Sequence, residues 1–406
     1  MRFAVFCLIA GLGACDDSAS PVEPRCVALG ACFEAMAVPA FSEPVVVAPS
    51  ATLPPEVISQ TAHNNLDVVM HEDRLFLALR TAPSHFASAD THLYVVSTAD
   101  QATWRFEGDF HLGRDLREPR FVSIAGRLFL YFAVLGTDPL AFEPGGTQVV
   151  EYRAPGDWSP PEAAFAGDLA DFIPWRIQRH GGEAWLIGYA GGAGVYTADA
   201  DPIEVHWLKS TDGRTWQPLV PSQPVVLRGG VSETDFARLD DGATIAVGRN
   251  EAGDGATFGS KVCRAEAASP GAWRCVDDPR KYDSPLVLTD GTRVWLVGRR
   301  NVSETGYFDL GRDELSPEAR WGLYQADYWN KPKRCAVWSV DHTTLEVSHL
   351  LDLPSAGDTC FASAVDLGEG QWLVYNYSSP FENPDIPWIR GQRGPTLIYR
   401  TTLALR

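Results

Sequence analysis

Acidic residues recur at the start of short β-prone segments along the chain, and arginines flank them. The six acids are Asp67, Glu118, Asp171, Glu233, Asp283 and Asp358. The arginines beside them are Arg80, Arg117, Arg120, Arg176, Arg249 and Arg299. Carboxylates and guanidiniums that converge on one face suit a polar or anionic ligand, and a sugar is the ligand class that we expect. The alternative is a network of mutually paired charges that only closes a channel.

Three of the acids are candidates for acid–base chemistry. Hydrolysis of a glycosidic bond uses one carboxyl group as an acid and a second as a base or nucleophile. We expect these groups to come from Glu118, Glu233 and Asp283, although each could instead cap the backbone or pair with an arginine. The predicted substrate contacts on the same face are Asp67, Arg80, Arg120, Arg176, Arg249 and Arg299.

A repeated pattern of strands must bring these residues together. A polar residue, a short strand, a turn and a second strand recur six times, with the second strands centred at Leu77, Leu130, Leu186, Ala246, Leu296 and Val374. These centres are 53, 56, 60, 50 and 78 residues apart. A third strand and a turn ending in tryptophan follow four of the pairs, at Trp104, Trp158, Trp216 and Trp273. Four strands in each repeat of ~55 residues predict an all-β fold, a six-bladed β-propeller over residues 56–406; a β-sandwich with chance spacing is the alternative.

The last repeat has only three strands before the chain stops. They are predicted at residues 362–366, 372–377 and 396–403. The β-prone run Val45-Val46-Val47 is the obvious donor of the fourth, because its pairing with the last strand would close the ring and cover an edge.

Two turns resemble the Asp-box of sialidases and related propellers. They are Ser97 to Trp104 and Ser210 to Trp216, and the resemblance implies that Asp and Ser bond the local backbone while Trp packs between sheets. The segment from Glu233 to Arg249 is similar to the fourth blade of sialidases, whose Glu assists a Tyr nucleophile and whose Arg grips the substrate carboxylate.

The resemblance extends loosely over residues 60–403. It implies that Arg299 or Arg300 is a second carboxylate-binding arginine and that Arg80 with Asp90 corresponds to the first blade, where an Asp is the acid/base.

Two positions differ from the sialidase pattern. Sialidases have an Arg-Ile-Pro sequence before the first strand, where this chain has residues 63–67 without that sequence. Their Tyr nucleophile precedes the first strand of blade six, where this chain has residues 357–361 and no tyrosine. Tyr375 and Tyr377 lie on the following strand, and we expect Tyr375 to contact substrate. The sequence therefore indicates a glycoside hydrolase-like propeller that acts on glycans rather than a sialidase. The alternative is a non-catalytic propeller that binds a glycan or a protein.

Composition and charge narrow the possible ligands. The 406 residues carry 52 acidic and 34 basic side chains, for a net charge of −18, which argues against nucleic acid as a partner. We expect no cofactor and no metal, because the chain has no C-x₂-C pair and the grouping of His63, Asn64, His85, Asp90 and His92 is interpreted as chance.

The N-terminus has the pattern of an export signal. Arg2 precedes an apolar run from Phe3 to Leu12, and the sequence then reads Gly13-Ala14-Cys15, which resembles a bacterial lipobox. The resemblance implies removal of residues 1–14 and lipidation of Cys15, with residues 15–55 as a Pro/Ser-rich tether that includes the closing strand. We therefore expect a monomer in the cell envelope, periplasmic or at the cell surface, held to the membrane only by its lipid.

Six cysteines remain after Cys7 and Cys15 are set aside, an even number in an exported chain. Fifteen pairings are possible. Nearness in sequence favours Cys26–Cys32, Cys263–Cys275 and Cys335–Cys360, and a zinc site is the rival interpretation.

Overall fold

The structure, a computed structural model, describes residues 39–194, 202–254 and 256–405, together with the backbone of two short strands nearer the N-terminus. Those strands, β1 (Arg25–Cys26) and β2 (Cys32–Phe33), pair with each other. The predicted signal segment 1–14 and Cys15 lie outside the described residues, as do the side chains of Cys26 and Cys32. Two more short strands, β3 (Ala40–Phe41) and β4 (Val45–Ala48), precede the repeats.

Six antiparallel sheets follow one another along the described part of the chain, and the first strands of neighbouring sheets pack together around a common axis. The prediction of an all-β propeller with six blades is confirmed. Blade one contains β5 (Ala62–His71), β6 (Arg74–Ala82), β7 (His92–Thr98) and β8 (Trp104–Phe110). Blade two contains β9 (Asp115–Ile124), β10 (Arg127–Leu135), β11 (Pro144–Ala154), β12 (Asp157–Trp158) and β13 (Glu162–Ala163).

The remaining blades follow the same order. Blade three contains β14 (Ile173–His180), β15 (Glu183–Ala190), β16 (Ile203–Ser210), β17 (Gln217–Pro218) and β18 (Val225–Gly229). Blade four contains β19 (Val231–Arg238), β20 (Thr244–Asn250), β21 (Ser260–Ala265) and β22 (Arg274–Asp278). Blade five contains β23 (Asp283–Thr289), β24 (Val294–Asn301), β25 (Lys333–Val340) and β26 (Val347–Asp352). Blade six contains β27 (Ser363–Gly368), β28 (Gln371–Ser378) and β29 (Leu397–Ala404).

The N-terminal strands complete blade six. Val45 and Val46 pair with Arg400 and Tyr399, so β4 lies beside β29 as the sequence predicts, and β3 pairs further along the same strand. The ring is thereby closed by hydrogen bonds between its two ends, and the edge of β29 is covered.

Burial falls from the second strand of a blade to the last. Eight of the nine residues of β10 are buried, because both faces of this strand are covered by neighbouring blades. By contrast, β26 at the outer edge of blade five has a single buried residue. The apolar segments of the sequence are therefore the inner strands.

Two turns with the pattern Ser/Thr-x-Asp bond their own backbone. In the first turn the Asp100 carboxylate accepts hydrogen bonds from two main-chain N–H groups, and in the second Asp212 does the same. The tryptophan that ends each turn contacts a neighbouring blade, since Trp104 packs edge-on to Tyr375 and Trp216 donates to the Tyr131 hydroxyl.

Helices are few in the described part of the chain, and the two α-helices lie in blades five and six. Helix α1 (Pro317–Asn330) occupies the long connection between β24 and β25, and Ser316 caps it by accepting from Ala319 N. Helix α2 (Trp388–Gly391) precedes β29, and the two helices pack together. Short 3₁₀ turns occur at Gly167–Leu169 and Gly192–Gly194. None of the helices described is long and apolar enough to span a bilayer.

Two of the predicted disulfides are present. Cys263–Cys275 joins β21 to β22 within blade four, whereas Cys335–Cys360 joins β25 of blade five to the segment that opens blade six. The predicted pairing of Cys26 with Cys32 lies outside the described side chains, although the backbones of these two residues are opposite each other.

Candidate functional site

A cavity of about 600 Å³ lies at one end of the propeller axis, and every blade contributes to its wall. The contributions from the starts of the inner strands are Asn65, Glu118, Ile173, Ser232, Glu233, Ser284 and Phe361. Other positions on strands add Arg117, Tyr189, Arg249, Arg299 and Tyr377, and loops and helices add residues that include His85, Leu140, Phe142, Trp329 and Trp388. The strand starts do meet at one face, but of the six predicted acids only Glu118 and Glu233 line the cavity among the described residues, whereas Asp67, Asp171, Asp283 and Asp358 do not.

The inner strands are irregular where they reach the cavity. The pairing register shifts near the start of β5, β9, β14, β19 and β23. Three cavity-lining residues at these irregularities, Asn65, Glu118 and Ser284, have φ angles of 42°, 50° and 53°, in the left-handed region that side chains other than glycine disfavour. A bulge adds one residue to a strand and redirects the side chains around it, so these residues face the cavity instead of continuing the pleat.

Two arginines and two aromatic rings close the channel beneath the cavity. Arg120 donates to the Trp175 carbonyl, and its guanidinium lies 4.9 Å from the Trp175 ring and 4.7 Å from the Phe361 ring. Arg176 crosses the axis and donates to the Pro285 carbonyl oxygen at 3.0 Å. These contacts tie blades two, three, five and six together and form the floor of the site.

Glu118 is a half-buried residue whose carboxyl group has an unused oxygen. Its Oε2 is buried and has no hydrogen-bond partner among the described residues. Burial raises the pKa of Glu118, against the opposing charges of Arg120 and Arg117. A ligand group in the cavity would supply the missing hydrogen bond.

Glu233 lies on the same cavity and is paired with Arg249 at 2.8 Å. Its other oxygen accepts from Ser284 N at 2.7 Å. Burial raises the pKa of Glu233 to about 7, the charge of Arg249 opposes this rise, and the charges of Asp283 and Glu118 add to it. The predicted approach of Glu233 to Arg249 at one end of blade four is therefore present.

Asp283 lies behind Glu233 within a network of charges and does not itself line the cavity. Its Oδ2 accepts from Arg299 at 2.9 Å and from the Tyr328 hydroxyl at 2.5 Å. Burial would raise the pKa of Asp283, but the charges of Lys281 and Arg299 outweigh burial and hold it at about 2. Asp283 therefore stays ionised at neutral pH and positions its neighbours rather than donating a proton.

A histidine and an aspartate form a second acid–base pair at the cavity. His85 lies in the loop between β6 and β7, and its Nδ1 is 2.7 Å from Asp358 Oδ2. The Tyr377 hydroxyl and the Trp388 indole N–H donate to the other oxygen of Asp358, each at 2.9 Å. Burial lowers the pKa of His85, and the charge of Asp358 opposes this fall.

The mouth of the cavity is apolar and aromatic. Leu140 is 93% exposed and Trp329 is 38% exposed, although both line the cavity. Trp388 lies deeper, with the Arg299 guanidinium 4.5 Å from its ring. Flat aromatic faces and exposed apolar side chains at a polar pocket are the surfaces on which the apolar faces of sugar rings stack.

Three of the predicted arginines do not reach the cavity. Arg80 is fully buried and donates to Asp115, Asn64 and two carbonyls of the 84–86 loop. Arg120 and Arg176 form the floor described above. All three arginines donate hydrogen bonds to backbone carbonyls outside the cavity, and through these bonds they hold loops and blades in place.

The other predicted residues also lie away from the cavity wall. The Asp67 carboxylate accepts hydrogen bonds from Phe121 N and the Ser363 hydroxyl, further from the cavity along the axis. Tyr375 is buried two residues deeper than Tyr377 on β28, a separation of about 7 Å along a strand. Asp90 is exposed five residues beyond His85, outside the cavity lining. Of the grouped histidines, His63 bonds the Thr396 carbonyl and His92 bonds Asp109, and no three potential metal ligands converge among the described residues.

The sequence analysis named His85 only within a grouping interpreted as chance, and it did not name Trp329 and Trp388 of the cavity or Tyr328, which contacts Asp283 behind it. The His85–Asp358 contact joins residues 273 positions apart, which no local pattern reveals. The 78-residue spacing before the sixth repeat was the available signal for the two residues on α1, because the excess length is the connection that contains this helix.

Comparison with known proteins adds information on the fold. No family model and no curated protein matches the sequence. Among solved structures, the chain is similar to a protein of unknown function from Dyadobacter fermentans, with a TM-score of 0.60 and 16% identity over 90% of this chain and 99% of that one. It is also similar to Trypanosoma rangeli sialidase, with a TM-score of 0.55 and 11% identity over 90% of this chain and 60% of that one. The endosialidase of phage phi92 gives a TM-score of 0.53 and 10% identity, with coverage of 86% and 68%.

These similarities concern architecture. The shared feature is the six-bladed propeller. At identities of 16% and below, the likeness shows the fold and leaves the chemistry to be argued from the side chains of the cavity.

Proposed function

We propose that this protein is a glycoside hydrolase that binds a sugar chain in the axial cavity. The observation that carries the proposal is the Glu118 carboxyl group, which lines the cavity, has a buried oxygen without a partner among the described residues, and lies near Glu233. Proton donors in glycoside hydrolases are carboxyl groups whose pKa is raised by their surroundings. Likeness to the propeller of sialidases supports a glycan as the ligand, whereas the departures in sequence argue against sialidase activity.

In this mechanism Glu118 donates its proton to the glycosidic oxygen as the bond breaks. Glu233, held by Arg249 and Ser284 N, supplies negative charge beside the oxocarbenium-like transition state. Arg249 and Arg299 already have internal carboxylate partners, so they orient hydroxyl or carboxylate groups of the sugar while their own positions stay fixed. Trp329 and Leu140 provide the apolar surface for the rest of the chain at the mouth.

The proposal includes the location of the protein. The signal-like segment before Cys15 supports export and lipidation, with the propeller held at the cell envelope by its lipid. A polymeric substrate outside the cytoplasm fits a cavity that opens to solvent at one end of the ring.

Turnover can be tested on a panel of 4-methylumbelliferyl α- and β-glycosides of neutral and acidic sugars, together with polysaccharides assayed for new reducing ends. We expect one member to be hydrolysed, and Glu118→Gln to lower kcat by about 10²–10⁴-fold on the polysaccharide. Glu151→Gln is the matched control, because Glu151 is in the same blade but pairs with Arg127 on the outer surface. Binding of a polysaccharide without any release would contradict hydrolysis and favour a non-catalytic glycan-binding propeller.

A further inference from the structure

The loop that carries His85 is fixed before any ligand arrives. Arg80 donates to the carbonyls of Ser84 and Phe86, at 3.3 and 3.1 Å, and Arg117 donates to the carbonyl of His85 itself. The amide of His85 donates to the Gln392 carbonyl at 3.1 Å. Main-chain contacts from both sides therefore hold the imidazole at the cavity, and the role of Arg80 is to position this loop.

Asp358 determines which nitrogen of His85 is available. An ionised carboxylate only accepts hydrogen bonds, so the His85 Nδ1 beside it carries the proton. A neutral imidazole carries only one N–H proton, so when that proton is on Nδ1, Nε2 has a lone pair and no proton. No donor among the described residues reaches Nε2, and His85 lines the cavity with 15% of its side chain exposed. The free nitrogen is thus a proton acceptor on a side chain that lines the cavity.

Asp358 is itself held ionised. It is fully buried and accepts from His85, Tyr377 and Trp388, so each donor points at the carboxylate. Burial would raise the pKa of Asp358, but the hydrogen bonds from His85 and Trp388 and the charge of Arg299 act against burial, and the pKa is lowered. A buried aspartate with three donors, one of them a cavity histidine, has the arrangement that orients a histidine for proton transfer.

We propose that His85 is the general base of the hydrolysis, with its Nε2 accepting a proton from the water that attacks the sugar. This role rests on the function proposed above and deepens it, because Glu118 and Glu233 leave the activation of water unassigned. Asp358 is the positioning residue, since it acts through the histidine.

The step balances in atoms and charge. The water oxygen forms a bond to the anomeric carbon as one of its protons passes to Nε2. The bond between that carbon and the glycosidic oxygen breaks, and the leaving oxygen takes the proton of Glu118. Imidazolium and carboxylate remain, and the exchange of one proton with solvent restores both groups. Because water attacks directly from the opposite face, the first product has inverted anomeric configuration.

The test compares leaving groups, using phenyl and 2,4-dinitrophenyl glycosides of the sugar that the wild-type protein hydrolyses. A good leaving group needs no proton, so Glu118→Gln should retain most of its activity on the dinitrophenyl substrate alone. His85→Ala should lose about 10²–10⁴-fold in kcat on both substrates, because both need an activated water. Added azide, which needs no base, should restore turnover of the dinitrophenyl glycoside by His85→Ala and yield the glycosyl azide.

Two further variants separate chemistry from structure. Asp358→Asn keeps the size of the side chain and should lower kcat about 10²-fold or more without azide. His92→Ala is the matched control, because His92 also pairs with an aspartate in blade one, Asp109, but lies outside the cavity lining; its activity should equal that of the wild type.

The outcomes distinguish the two proposals. Three results would overturn the role of His85 and leave the hydrolase intact, provided that the wild type hydrolyses a substrate. They are full activity of His85→Ala, failure of azide to restore turnover in His85→Ala, and a wild-type product with retained anomeric configuration. A wild-type protein that hydrolyses nothing in the panel would overturn the hydrolase and the role of His85 with it.

Discussion

Replacing Glu233 with glutamine should stabilise the protein at alkaline pH. A carboxyl group whose pKa rises from 4.5 unfolded to about 7 folded binds more protons in the folded state, so its contribution to stability is full below about pH 4.5 and is lost as pH rises through 7. A tenfold difference in proton affinity between the folded and unfolded states corresponds to about 1.4 kcal/mol. The ionised Glu233 therefore costs the fold about 3 kcal/mol at pH 8 and under about 1 kcal/mol at pH 5.

Glutamine in place of Glu233 removes this pH-dependent cost. Arg249 would keep Glu251 as a partner, at 3.1 Å, so the substitution does not leave its charge buried and unpaired. We expect the difference in unfolding free energy, Glu233→Gln minus wild type, to increase by about 2.5 kcal/mol between pH 5 and pH 8. The measurement is urea unfolding at 25 °C followed by tryptophan fluorescence, with urea chosen because it does not screen charges.

The control for this experiment is Glu151→Gln. Arg127 lowers the pKa of Glu151 through their hydrogen bond, so the difference should have the opposite sign, and at this surface position it should remain under about 1 kcal/mol. If Glu233→Gln instead became less stable than the wild type as pH rises, the ion pair with Arg249 would stabilise the fold, and the cost assigned to ionised Glu233 would be refuted.

Three further changes give distinct expected results. A chain that starts at residue 39 should keep the melting temperature of one that starts at residue 1, whereas a chain that starts at residue 49 exposes the edge of β29 and should aggregate on heating, as light scattering would show. Cys335→Ser and Cys263→Ser should each lower the unfolding free energy by about 3 kcal/mol, but only Cys335→Ser should lower kcat in the glycoside assay, because its disulfide holds the segment that forms the cavity floor. Cys15→Ser should move the protein from the membrane fraction to the soluble fraction after a high-salt wash, and retention in the membrane would contradict lipidation at this residue.

The blades could be predicted from the sequence because they depend on local and periodic signals. The apolar runs near Leu77 and Leu130 are inner strands, and the turns that end in tryptophan recur at nearly constant spacing. The strands of each repeat can therefore be predicted from the sequence of that repeat alone. The position of Glu233 and Arg249 at one end of blade four also follows, since a hairpin fixes which residues are opposite.

Whether a residue lines the cavity depends on how far along the propeller axis its side chain lies, and no local pattern in the sequence gives that position. Arg120 is only two residues beyond Glu118, yet a bulge lies between them and places one side chain in the floor and the other in the wall. Tyr375 and Tyr377 share a face of β28 and differ only in height. The insertion of α1 and the approach of His85 to Asp358 are long-range events, set by how blades pack rather than by spacing.

The closure of the ring determines the order in which the protein can fold. The Ser42 hydroxyl is 3.2 Å from that of Thr401, although the two residues are separated by 359 positions. Bringing such distant segments together costs about 5 kcal/mol in loop entropy for a flexible chain, a cost that falls sharply once the intervening blades have formed. Strand β4, which is synthesised before any of the six repeats, therefore finds its partner last. Until it does, the open edge of blade six can accept β4 from a second molecule, and strand-exchanged dimers are the expected by-product of refolding at high protein concentration.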